Sequence, residues 1–266
     1  MSEQTLFATL RAESRIWAVA AIHGAVDHLR ALHGQLGPLF EPGDQLVYLG
    51  NYSGHGPAVR DTIDELLLFR RALLALGGVE CDDIVYLRGG QEEMWHKLLQ
   101  LQLAPNPQQV LHWMVEQGIQ PTIEAYGARV EDALLAARDG ILSLTKWTSQ
   151  LRQTLRAYDG HTALTSVLRH AAFTADGSLL FVHAGIDPSR PLLAQSDSFW
   201  WGGGNFHQIE DPFEHYRRIV RGYDRRHGGV QETAATMTLD ANCGFGGPLL
   251  AACFAPGGEL INTISA

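Results

Sequence analysis

The sequence predicts an α/β domain whose core is two sheets, or one sheet layered with helices. Three observations carry that reading. Short apolar runs of strand length alternate with segments whose apolar residues recur at helical spacing; the early runs each end in a polar, glycine-containing loop; and the second half of the chain returns to short strand-like runs divided by glycine-rich turns. Neither an internal repeat nor a low-complexity linker interrupts it, so residues 1–266 are read as a single domain.

Ile16 to Ile22 is an unbroken apolar run ending at His23-Gly24, the pattern of a parallel strand buried on both faces. From Asp27 onward, Leu29, Leu32 and Leu36 fall at helical spacing, and Gly37-Pro38 stops the helix. Pro42-Gly43-Asp44 turns the chain into a second strand, Gln45 to Leu49. The loop that follows, Gly50-Asn51-Tyr52-Ser53-Gly54-His55-Gly56-Pro57, is rich in residues that let a backbone take positive φ or come close to a ligand. Pro57 opens a helix with Val59, Ile63, Leu66, Leu67, Leu73 and Leu74 on one stripe, ended by Gly77-Gly78. The strand Asp83 to Leu87 runs into Arg88-Gly89-Gly90-Gln91-Glu92-Glu93. Residues from about 94 to 172 read as a helical insertion, either packed on the sheet or covering the crevice. Ser178–Val182, Thr236–Leu239, Leu249–Phe254 and Glu259–Ile264 read as later strands. The segment Phe199-Trp200-Trp201-Gly202-Gly203-Gly204 reads as aromatic core, with a ligand-lining loop as its alternative. Ligands of open α/β sheets bind beyond the carboxyl ends of the strands, so the first three loops are expected to converge.

Composition excludes several functions. A formal charge of -9 without a basic tract argues against capture of nucleic acid or of an anionic membrane. No apolar run reaches the length of a spanning helix and the first residues lack a signal-peptide pattern, so a cytoplasmic protein is expected. Cys81, Cys243 and Cys253 are odd in number and lack CxxC spacing; they are expected to be small core residues.

Read together, the loop endings Ala20-Ala21-Ile22-His23-Gly24, Gly50 to Pro57, Arg88 to Glu93 and His183-Ala184-Gly185 resemble the motifs of the calcineurin-like metallophosphoesterases. Within them the likeness is to the bacterial serine/threonine phosphatase and diadenosine-tetraphosphatase branch, whose motifs are GDxHG, GDxVDRG, RGNHE, HAG and GHT. Asp240 to Gly247 resembles the late glycine-rich strand pair. The resemblance spans nearly the whole chain and implies a two-sheet β-sandwich flanked by helices, carrying a helical insertion.

It also implies an altered site. In the family two divalent metals are held by six side chains. Here His23 and His183 are kept, whereas the other positions hold Ala21, Asn51, Gly90 and Tyr223. The catalytic positions fare alike: Gln91 stands for the histidine that protonates the leaving oxygen, Gly54 for its orienting Asp, and His55 for the phosphate-binding Arg. Two dications about 3.5 Å apart repel by roughly 19 kcal/mol at an effective dielectric of 20. Neutral Ala21 and Asn51 do not offset that as two carboxylates would.

Three functional expectations follow. The first is a catalytically inactive binding or regulatory module without a cofactor, taking a phosphate-containing ligand or phosphoprotein through Asn51, His55, Arg88, Gln91 and Tyr223. The second is a phosphoester hydrolase with at most one metal, zinc or manganese, on His23, His183 and Asn51, joined by Glu92 or Asp240. In it His55, His207 or His227 acts as acid and Glu92 assists. The third is an interaction scaffold working through Trp200-Trp201 or the insertion.

Overall fold

The structure is a computed structural model that describes residues 6–203 and 205–266. Residues 1–5, and Gly204 at the end of the aromatic segment, lie outside the described residues.

The strands in chain order are β1 (Phe7–Leu10), β2 (Ile16–Val19), β3 (Gln45–Tyr48), β4 (Ile84–Tyr86), β5 (Ala171–Thr174), β6 (Leu179–Val182), β7 (Arg218–Arg221), β8 (Gln231–Glu232), β9 (Thr236–Thr238), β10 (Leu250–Phe254) and β11 (Leu260–Ser265). One sheet has the order β11-β10-β2-β3-β4 and the other β1-β5-β6-β7-β9-β8. In the first, β2, β3 and β4 run parallel, with Ile16 opposite Gln45 and Leu46 opposite Ile84. Every residue of β2, β3 and β4 is buried, which is why these strands read as continuous apolar runs rather than alternating ones. Trp17, Val47, Phe181, Val220 and Phe254 belong to one shared core.

Helix α1 (Val26–Leu36) follows β2 and α2 (Val59–Leu74) follows β3. Helix α1 buries Leu29, Leu32 and Leu36, the stripe the spacing predicts. Helix α2 starts two residues after Pro57. The strand opening at Ile16 ends at Val19 instead of Ile22: Ala20 N–H still donates to Leu250 O of β10, but beyond it the backbone turns to other partners, Ala21 N–H donating to Gly222 O and Ile22 N–H to Asn51 O.

Between the sheets' contributions lies the insertion: α3 (Gly90–Leu98), α4 (Pro107–Glu116), α5 (Gln120–Ala125), α6 (Val130–Asp139), α7 (Ile141–Arg156) and α8 (His161–Ser166). It buries a core of its own, including Met94, Trp95, Leu111, Met114, Ile123, Leu144 and Leu151. Its bounds correct the sequence reading at both ends. Helix α3 begins at Gly90, with Gln91 in its first turn, and β5 begins at Ala171. Alanine favours helix over strand, so Ala171 and Ala172 carried no strand signal, yet both are fully buried.

Strands β1, β7 and β8 were likewise not anticipated. The two residues of β8 are exposed, and β7 is bracketed by arginines. In the aromatic segment, α9 (Ser198–Trp201) buries Phe199 and Trp200, the core reading, while Trp201 stays half-buried. Cys243 and Cys253 are buried as expected; Cys81 is exposed. No helix among the described residues is long and apolar enough to cross a membrane.

Candidate functional site

The carboxyl ends of β2, β3 and β4 bring the three loops together. Ile22 N–H and His23 N–H both donate to Asn51 O, at 3.0 and 2.7 Å, and Gly56 N–H donates to His23 O at 2.8 Å. Gly50 is required where it stands: φ is +91°, and a Cβ there would lie 2.7 Å from the backbone nitrogen of Gly89.

A buried carboxylate ties the second loop to the third. Glu92 Oε2 accepts Asn51 N–H at 2.8 Å and Gly89 N–H at 3.0 Å. Its Oε1 accepts Tyr52 N–H at 2.9 Å, Ser53 N–H at 3.3 Å and the Ser53 hydroxyl at 3.0 Å. Burial raises the Glu92 pKa, opposed by these donors, which favour the ionised form. Glu92 therefore holds loops rather than offering a free ligand; Asp240 is similarly committed, accepting Asp224 N–H at 2.9 Å and Asn242 N–H at 2.8 Å. The sequence clue to Glu92 was its place three residues after Gly89, the acidic half of a helix-capping pattern.

His23, Asn51 and His183 do meet here. His183 Nδ1–H donates to Leu49 O at 2.7 Å, and its buried Nε2 has no partner among the described residues. Asn51 is oriented by Gln91 N–H, which donates to its Oδ1 at 2.9 Å. That fixes the amide nitrogen toward His23 Nε2, 3.4 Å away. The lone pair of His23 thus faces a hydrogen-bond donor. Burial pushes His183 down to about 4 and His23 well below its ordinary range, so both imidazoles are neutral at physiological pH.

Tyr223 fills space between the retained histidines. Its ring lies parallel to His183 (centroids 5.4 Å apart) and edge-on to His23 (5.2 Å). Phe245 packs on His23 at 5.2 Å and on His55 at 4.6 Å. Gln91 occupies the place beside Gly54: a Cβ on Gly54 would fall 2.2 Å from the Gln91 side chain.

Beyond these rings opens a cavity of about 190 Å³. Asn51, His55, Gln91 and Tyr223, named above as candidate ligand-binding residues, border it. Arg88 does not. Its guanidinium pairs with Glu93 at 3.1 Å and lies 6.0 Å from the Trp200 ring, because the helix starting at Gly90 carries Glu93 back toward it. The charged groups bordering the cavity are instead Arg225 and Glu116, which sequence reasoning missed; neither sits in a recognisable motif. Phe245 was also missed, although it lies inside the segment Asp240 to Gly247. Trp200, Trp201 and His227 border the cavity too, whereas His207 is exposed elsewhere.

The insertion covers this crevice through Gln117 and Gly118. His55 N–H donates to Gly118 O at 3.1 Å, the Gln91 amide donates to Gln117 O at 2.7 Å, and Gly54 N–H donates to the Thr122 hydroxyl at 3.1 Å.

No protein-family model matches this sequence, and no curated protein matches it at a significant level. Solved structures do match in fold. One is a candidate diadenosine tetraphosphatase, 22% identical, with 98% of each chain covered and a TM-score of 0.57. Another is a protein serine/threonine phosphatase from Saccharomyces cerevisiae, 15% identical, covering 98% of this chain and 82% of that one, with a TM-score of 0.53. A third is a cold-active protein-tyrosine phosphatase of a Shewanella species, 12% identical, covering 100% and 84%, with a TM-score of 0.51. The chain has the calcineurin-like metallophosphoesterase fold.

In metallophosphoesterase enzymes this crevice would carry two metals; the residues here do not fit that centre. Ala21 and Gly90 have no donor atom to offer, Asn51 turns its amide N–H toward His23, and the Tyr223 ring packs against both retained histidines. Among the described residues no three His, Cys, Asp or Glu side chains converge as a metal-holding group.

Proposed function

We propose that this chain is a metal-independent binding module built on the metallophosphoesterase fold, without phosphoesterase activity. The observation that carries the reading is the orientation of Asn51: at the position of a metal-bridging carboxylate, an amide is locked by Gln91 N–H so that its own N–H groups face His23. No group at the Gln91 or Gly54 position can protonate a leaving oxygen. What remains is a walled cavity, capped by the insertion through a partly buried hydrogen bond from Gln91 and a buried one from Gly54.

Purified without chelator, the protein is expected to carry far less than one Mn, Fe or Zn per chain by plasma emission analysis. With p-nitrophenyl phosphate and excess Mn²⁺ it is expected to show no turnover above Mn²⁺ alone. About two metals per chain, or turnover abolished by His183→Ala, would overturn the proposal.

One observation favours a one-metal hydrolase as the second reading: His183 Nε2 is buried and unpartnered. Zinc affinity tighter than micromolar that is lost in both His23→Ala and His183→Ala would establish that alternative.

A further inference from the structure

The cavity beside Tyr223 is walled by aromatic rings at steep angles to one another. His55 and Phe245 have centroids 4.6 Å apart with planes at 55°; Phe245 and His227 are 4.3 Å apart at 52°; His227 and Tyr223 are 6.0 Å apart at 76°. Trp201 completes the lining; Trp200 borders the cavity as well, but its ring is buried against Phe199 and His170 with the Arg88 guanidinium 6.0 Å away. A slot for a flat heterocycle needs parallel faces on either side of it. These walls form a box, which suits a rounded group. At about 190 Å³ the space is below the range of drug-sized pockets, so it takes a head group rather than a whole cofactor.

Rounded groups that gain from several aromatic faces are alkylated ammonium ions, attracted to the negative faces of the rings and poorly hydrated. The charges at the mouth bear on the sign. Glu116 and Arg225 are both exposed there and neither makes an ion pair among the described residues, Arg225 donating to the neutral Gln117 Oε1 at 3.1 Å; the two charges balance at the mouth, so the rings set the preference and Glu116 is the group open to a cation. The displacement of Arg88 by Glu93 removes one of the cationic groups an anion would have used.

We propose that this cavity binds a quaternary or methylated ammonium head group, held by the aromatic box and by Glu116. The proposal rests on the reading of the crevice as a metal-independent binding site. Its chemistry is shared by free choline-like molecules and by methylated lysine side chains.

The test is isothermal titration calorimetry on the full chain with choline chloride, trimethyl-lysine in a short peptide, the neutral tert-butyl isostere of choline, and inorganic phosphate. Saturable binding of choline or the peptide is expected, with the neutral isostere at least about fivefold weaker. The tighter of the two cations names the source. Trp201→Phe is expected to retain binding and Trp201→Ala to weaken it about fivefold. Glu116→Gln, at an exposed position, is expected to loosen binding of the cation and Arg225→Gln to tighten it.

For an anionic ligand both signs reverse, and phosphate binding that strengthens in Glu116→Gln and weakens in Arg225→Gln overturns the cation proposal while leaving a metal-independent site intact. Equal affinity for the neutral isostere, or no saturable binding of either cation, also overturns it. Mn²⁺-dependent turnover of p-nitrophenyl phosphate would instead remove the reading beneath it.

Discussion

Glu92→Ala is expected to destabilise the chain by about 4 kcal/mol or more. Four backbone N–H groups and one hydroxyl, drawn from Gly89, Asn51, Tyr52 and Ser53, converge on this carboxylate. Removing the acceptor leaves buried donors unsatisfied, each costing about 1–3 kcal/mol. Water entering the space left behind offsets part of that sum. For a chain of this size a 4 kcal/mol loss lowers the melting temperature by roughly 10 °C. Glu92→Gln is expected to fall between: whichever oxygen becomes NH₂ then confronts N–H donors. Circular-dichroism melts of the two variants check this. A shift below about 3 °C for Glu92→Ala would show that the loops are held by something else.

The second large effect is loss of stability in acid. His33 lies inside the fold with its Nδ1–H donating to Glu65 at 2.6 Å and its Nε2 accepting from the Tyr48 hydroxyl at 2.8 Å. Burial depresses it from 6.5 to about 4, the Glu65 carboxylate opposing only in part, and burial likewise holds His183 at about 4. An unfolded chain takes up protons at these residues as pH falls through 6.5, while the folded chain does not until about 4. Folding stability is therefore complete above that range and declines across it, by on the order of 3 kcal/mol for each histidine. Urea unfolding at a series of pH values measures the slope. His33→Gln is expected to flatten it by about a third or less, because buried His23 is depressed along with His183. An unchanged slope would remove His33 from the account.

The parallel heart of the first sheet was legible in the sequence because burial on both faces leaves unbroken apolar runs, as at Trp17-Ala18-Val19 and Leu46-Val47-Tyr48. The second sheet was only half legible. Its edge strand β8 is exposed and two residues long, and the alanines opening β5 favour helix in isolation; pairing with β1 and β6 makes it a strand.

At the site, the loops at His23, Asn51 and Arg88 announced themselves by glycine content. Two things did not. Arg88 reads as a ligand cation until the first turn of α3 places Glu93 against it. The ring box needs Tyr223, His227 and Phe245, which approach from a different sheet and loop, and sequence spacing says nothing about rings meeting through space. Glu92 shows the converse: its acidity suggested chemistry, and its hydrogen bonds are architectural.

His23, Asn51, His55, His227 and Asn242, all in or beside the crevice, adopt positive φ between 48° and 69°. Only glycine takes that conformation without cost; each of the others gives up about 1 kcal/mol, somewhat less for asparagine. The crevice is consequently where a stability-driven redesign would do most harm. A search for stabilising substitutions would choose glycine at His55 or His227 first, raising the melting point while dismantling the walls of the cavity. Thermostability and ligand capture compete for the same backbone angles.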